Sequence, residues 1–186
     1  MLLMTFAIIA IASIGQNSYE QCFNYFIKDQ FGMGSEYNGT IKAVIALLTL
    51  ALNASVGLWL QKKTDINRSF LWAIAANTAI TGLILIFTNQ WVFVAAYVVW
   101  CGVNALRTSL LQTMVAKRAT DEHRNSVMGF YQSMYSLGAI FGALFAGLIY
   151  ESGPMRPFWL AFIVFGMALI IGIVYVIRYR SEKRSS

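Results

Sequence analysis

Six long apolar runs, joined by short connections, constrain this chain more than any other feature. They lie at about 2–27, 38–60, 69–88, 91–114, 126–150 and 157–178. A helix that crosses the hydrocarbon of a bilayer needs about 20 mostly apolar residues, and each run is long enough. The connections are Lys28 to Tyr37, Gln61 to Arg68, Thr88 to Gln90, Lys117 to Asn125 and Glu151 to Arg156. None has room for a soluble domain. Stretches such as Leu47-Leu48-Thr49-Leu50-Ala51-Leu52 do not alternate, as the strands of a membrane barrel must. The expected fold is therefore an all-α membrane protein of six transmembrane helices, with one bundle over residues 1–186 and a basic tail at 179–186.

Charge supports this reading. Only 12% of residues are charged and 58% are apolar, against about 25% charged in soluble domains. So few charges cannot cover a water-facing surface, which excludes a soluble enzyme. The net charge of +6 comes from basic residues between the apolar runs rather than from one stripe. It points to membrane orientation and not to nucleic acid. One side receives ten basic residues: Lys62, Lys63, Arg68, Lys117, Arg118, Arg124, Arg178, Arg180, Lys183 and Arg184. The other receives only Lys28 and Arg156. The positive-inside rule then puts both termini in the cytoplasm, with a bacterial plasma membrane as the expected location. Met1 opens directly into apolar residues without a basic flank. The first run is therefore expected to be a true span whose upstream flank is missing, in a fragment or the product of an internal start.

The chain carries no signature of an enzyme. Cys22 and Cys101 lie within spans and read as free structural thiols. His123, the single histidine, sits in the loop Asp121-Glu122-His123-Arg124. No nucleophile–base pair, phosphate loop or metal-ligand spacing appears, so no catalysis, metal or cofactor is expected.

The two three-helix halves resemble each other at a spacing near 88 residues. Gly15-Gln16-Asn17-Ser18-Tyr19-Glu20 corresponds to Gly102-Val103-Asn104-Ala105-Leu106-Arg107. Gly39 and Gly57 correspond to Gly129 and Gly147, and Phe70-Leu71-Trp72-Ala73 to Phe158-Trp159-Leu160-Ala161. Three helices per half is an odd number, so the second half enters the membrane from the opposite side. This predicts inverted repeats over about 1–88 and 89–178, a common build of secondary transporters.

Polar residues within the spans fall on narrow faces. Ser13, Asn17, Glu20 and Asn24 share one face of the first span, and Asn38, Lys42, Thr49 and Asn53 one face of the second. Trp100, Asn104, Arg107 and Thr108 share a face of the fourth, and Gln132, Tyr135 and Ser136 of the fifth. A charge at the bilayer centre costs roughly 2.5–3.5 kcal/mol on insertion scales and normally faces a cavity or a partner. Glu20 and Arg107 therefore point to a cavity. Thr49, Asn53, Asn77 and Ser136 read as hydrogen-bonding glue between helices. Depth makes a Glu20–Lys42 ion pair possible, with Glu20 alternatively a proton carrier. The sixth span has no polar side chain from Phe158 to Val174, which marks it as lipid-facing. Gly138-x-x-x-Gly142 reads first as close helix packing, and second as a sliding seam.

On these residues the chain resembles the C-terminal six-helix half of a major facilitator superfamily transporter, and within it the twelve-span drug:proton antiporters. The family's loop between the second and third helices of each half reads Gly-x-x-x-Asp-Arg/Lys-x-Gly-Arg/Lys-Arg/Lys. Here it is Gly57-Leu58-Trp59-Leu60-Gln61-Lys62-Lys63-Thr64-Asp65, with Gln61 at the Asp position. Arg124-Asn125-Ser126-Val127-Met128-Gly129 resembles the family's Arg-Gly-x-x-x-Gly helix start. Gly138 to Gly147 resembles the antiporter Gly-x-x-x-Gly-Pro-x-x-Gly-Gly signature, with Ala143 where Pro would stand, as suits a C-terminal half.

The resemblance implies alternating access between two six-helix bundles, with the first and fourth helices of each half lining the cavity. It makes Gly57, Lys62, Asp65, Arg68 and Arg124 residues of gating loops. Asn17, Glu20, Asn24, Lys42, Trp100, Asn104, Arg107, Gln132 and Tyr135 become the candidate substrate and proton pathway. The expected function is half of a proton-coupled efflux transporter for a small molecule, acting in the lipid bilayer with a second half or as a homodimer. The aromatic residues Tyr19, Phe23, Trp100, Tyr131 and Tyr135 beside the polar faces suit a drug-like compound. The alternative is a non-transporting six-helix remnant or assembly partner.

Overall fold

The computed structural model describes residues 2–86 and 89–185, so Thr88, in the third connection, lies outside the described residues. The helices are α1 (Leu2–Asp29), α2 (Ser35–Leu52), α3 (Leu58–Lys63), α4 (Ile66–Ile84), α5 (Gln90–Ala116), α6 (Arg124–Tyr150) and α7 (Arg156–Ser185). A π-helical turn, Asn53–Gly57, joins α2 to α3 without a break. The described residues thus form six rods, one for each apolar run, and no strand.

The rods end where local chemistry stops them. After α1 the chain turns at Gly32, whose φ of 64° favours a residue without Cβ. Asp65 caps α4 by accepting from the Asn67 N–H at 3.0 Å. Asn89 caps α5 in the same way, accepting from Trp91 and Val92. Pro157 sits in the first turn of α7, where a missing N–H has no partner to lose.

Four rods are long and apolar enough to cross a membrane: Glu36–Lys63, Gln90–Ala116, Arg124–Tyr150 and Arg156–Glu182. α1 and α4, both of spanning length, are not among these four. Both carry polar residues that the bundle buries, Gln16 and Ser18 in α1 and Asn67 and Asn77 in α4. The expectation of six spans therefore receives direct support for four.

Packing follows an exchange between the two halves of the chain. α1 packs on α6 and α7, while α5 packs on α4 and α2, and α4 meets α7. Two apolar clusters fill the bundle. One gathers Phe6, Ile8, Ile74, Leu110, Met114 and Tyr175. The other is aromatic and includes Tyr19, Phe23, Phe93, Tyr97, Trp100, Phe158 and Phe165. Phe23 and Tyr97 stack with centroids 3.4 Å apart, and Tyr19 lies 4.2 Å from Trp100.

α7 is two-sided. It exposes Ile163, Met167, Ile170 and Ile177 as a lipid-facing helix does, and buries Phe158, Phe165 and Tyr175. Gly138 and Gly142 of α6 lie directly on the α1 backbone. A Cβ at either would come within 3.0 Å of a carbonyl oxygen, of Ala10 or Ile14 respectively. The small-residue spacing thus serves close packing.

Candidate functional site

A polar cleft of about 460 Å³ opens between α1, α2 and α5. Gln16 and Glu20 line it from α1, and Ile45, Thr49 and Asn53 from α2 and the π turn. Cys101, Asn104, Ala105, Thr108, Ser109 and Gln112 line it from α5. Glu20 is the one charged side chain among these lining residues. The volume lies within the range of small-molecule sites.

Behind the cleft a hydrogen-bond network runs across three helices. Arg107, almost fully buried, donates through Nε and Nη2 to the Asn104 side-chain oxygen at 3.1 and 2.8 Å. Nη2 also donates to Gln16 Oε1 at 3.0 Å and to Thr108 Oγ1 at 3.4 Å. The other end of the same Gln16 amide donates to Glu20 Oε1 at 3.1 Å and to the Tyr135 hydroxyl at 3.2 Å. A guanidinium has donors only. Gln16 must therefore turn its carbonyl to Arg107 and its NH₂ to Glu20. One neutral amide thus links a cation to a carboxylate without an ion pair between them. A fourth helix closes the network: the Phe165 ring of α7 lies 5.7 Å from the Arg107 guanidinium carbon, a cation–π contact. Gly15 makes room for it, since a Cβ there would press on the Phe165 ring at 3.2 Å.

The structure brings together Glu20, Asn104, Arg107 and Tyr135 of the candidate pathway. Asn17 lies beside them on the α1–α6 seam, where its amide donates to the Ser13 carbonyl at 3.0 Å and its Cβ abuts the position of Gly142. Four other candidates are placed elsewhere. Asn24 is half-buried with its side-chain oxygen unpartnered. Gln132 is exposed on α6. Trp100 is fully buried against Tyr19, Tyr97 and Phe165 rather than on the cleft. Lys42 is exposed, although its neighbours Ile41 and Ile45 pack against the aromatic cluster. The Glu20–Lys42 pair does not form. An ion pair does form between Arg68 and Asp65, at 3.9 Å.

The residues expected to act as glue do not bridge helices. Thr49 donates to Ala46 of its own helix, and no side-chain partner is found for the buried Asn53 oxygen or for the Asn77 amide. Thr49 and Asn53 instead line the cleft. Ser136 is exposed. Of the expected gating residues, Lys62, Asp65, Arg68 and Arg124 stand at helix ends. Gly57 does not: it lies inside the second rod, buried in the π turn, with the position of its Cβ 3.5 Å from Leu106 of α5.

Sequence reasoning missed Gln16, the hub of the network. A neutral amide draws no attention in a search for charges, yet its position four residues before Glu20 on one helix face was a usable signal. It also missed Ser109 and Gln112 of the cleft; Ser109 accepts from Gln61 at 2.9 Å.

A comparison with curated proteins returns no match. The family profile of the Major Facilitator Superfamily, by contrast, matches residues 2–186, nearly the entire sequence. With its all-helical bundle, its apolar spanning rods and a buried polar network beside a cleft, the chain belongs to the Major Facilitator Superfamily, a family of membrane transporters.

Proposed function

We propose that this chain forms one six-helix half of a secondary active transporter, the C-terminal half of the resemblance above, working by alternating access with a second six-helix bundle or a second copy of itself. The observation that carries the reading is the Glu20–Gln16–Arg107 network beside a polar cleft. Such a group inside spanning helices is expensive unless it faces a solute path. An inverted-repeat build, read from the sequence, accords with it, and packing of α1 on α6 and α7 alongside packing of α5 on α2 and α4 supports that reading. Partnering is supported by the outer faces of α2 and α6, which leave Leu47, Leu50, Ile140, Leu144 and Leu148 uncovered. The distribution of basic residues favours cytoplasmic termini.

Glu20 is the proton carrier in this scheme, and the direction is efflux. The solute is a small molecule with hydrogen-bonding groups, since most of the cleft-lining side chains are amides, hydroxyls and the one carboxylate. A strongly apolar drug has less support, because Tyr19, Phe23, Trp100 and Tyr131 are buried in the core.

The test uses the assembled protein in vesicles with a pH-sensitive dye inside, challenged with a panel of polar and lipophilic solutes. Wild type is expected to show solute-induced proton movement. Glu20→Gln is expected to abolish it and to leave solute exchange without net proton movement intact. Proton movement that persists in the variant would remove Glu20 from the pathway.

A further inference from the structure

Away from the cleft, the outer surface of the bundle carries a second concavity between α4 and α7, of about 390 Å³. Its lining is divided by chemistry. Arg68 lies in the first turn of α4, and Leu71 and Trp72 follow three and four residues later on the same face. From α7 come Leu169 and Ile173, with Arg180 near the helix end. α4 starts at the end of the bundle where α7 finishes, so both guanidinium groups stand at one end and the apolar side chains run from there toward the middle. The same end carries Lys62 and Lys63, and Arg118 of α5 lies over Tyr175 and Tyr179 of α7 there. Both arginines are exposed, and Trp72, at 78% exposure, is the most exposed tryptophan of the chain.

A cationic head joined to an apolar trough, on the surface that lipid must cover, matches one kind of molecule. We propose that this groove holds an anionic phospholipid, with its phosphate between Arg68 and Arg180 and an acyl chain along Leu71, Trp72, Leu169 and Ile173. The planar guanidinium fork suits phosphate oxygens, and basic pockets between spanning helices bind anionic headgroups. Asp65, 3.9 Å from Arg68, offsets one of the two positive charges. The remaining unit charge sets a preference for an anionic over a zwitterionic headgroup of about fivefold. The proposal does not depend on the transport reading.

Brominated lipids quench tryptophan on contact, and Trp72 is the natural reporter. The full chain is placed in phosphatidylcholine vesicles with increasing fractions of brominated phosphatidylglycerol or brominated phosphatidylcholine. The signal of wild type minus that of Trp72→Phe isolates the groove. Half-quenching is expected at about fivefold lower mole fraction of the anionic lipid. The double variant Arg68→Gln, Arg180→Gln is expected to lose that preference, and Arg68→Lys, Arg180→Lys to keep most of it. Lys62→Gln, Lys63→Gln removes the same charge outside the groove and is expected to leave the preference in place. Equal quenching by the two lipids in wild type would overturn the proposal. So would a preference that survives the Gln variant of the arginines, or one lost equally in the lysine control, which would trace it to diffuse basic charge.

Discussion

Where α6 crosses α1, Gly138 and Gly142 bring backbone against backbone; where α2 crosses α5, leucine side chains hold the helices apart. These two seams are counterparts if the halves of the chain correspond, yet they are built in opposite ways. At the first, a Cβ on either glycine would strike the α1 backbone, and Ser13 ties the helices further by donating to the Tyr135 carbonyl at 2.6 Å. At the second, a Cβ on Gly102 would meet only the flexible ends of Leu52 and Leu48, and the polar cleft opens alongside. The closed seam fixes α1 and so aims Gln16 and Glu20. The open seam leaves the cleft that the proposed function assigns to a solute. A transport bundle needs both, a rigid wall to hold the polar groups and a loose one to admit what they bind.

The contrast can be broken most strongly at the closed seam. Gly142→Leu forces α6 off α1 and is expected to cost about 3 kcal/mol or more, read as a shift in unfolding by denaturing detergent in a bilayer-mimetic micelle. Arg107→Leu comes next. It removes the donor from the buried oxygens of Gln16 and Asn104, and a loss of about 2 kcal/mol is expected by the same measurement. The smallest effect belongs to the open seam. Gly102→Ala displaces only leucine ends and is expected to change stability by less than about 1 kcal/mol. Equal losses for Gly142→Leu and Gly102→Ala would show that the two seams are alike.

The six rods were legible because long apolar runs leave the backbone one way to satisfy its hydrogen bonds in lipid. Glu20, Asn104 and Arg107 were legible for a related reason: a charge or amide among apolar residues must be accounted for. The errors share a different origin. Helical angles place Lys42 on the face of Thr49 and Asn53, but they do not reveal that Lys42 stays exposed while Thr49 and Asn53 line the cleft. They place Trp100 in line with Asn104 and Arg107, but a large ring follows the apolar space beside it, here that of Tyr19 and Tyr97. A face read from one helix says which residues point together. It does not say what stands opposite.

The π turn at Asn53–Gly57 alters how the second rod has to be read. Each residue advances an α-helix by about 100°, and a π turn acts as one residue inserted into the winding. Every side chain from Leu58 to Lys63 is therefore set about 100° around the rod from where uninterrupted α winding would put it. By that winding Thr49 and Gln61 fall about 20° apart instead of about 120°, so one face carries both Thr49, which lines the cleft, and Gln61, which donates to Ser109 of α5. A single straight helical wheel drawn across Ser35–Lys63 would misassign one end or the other.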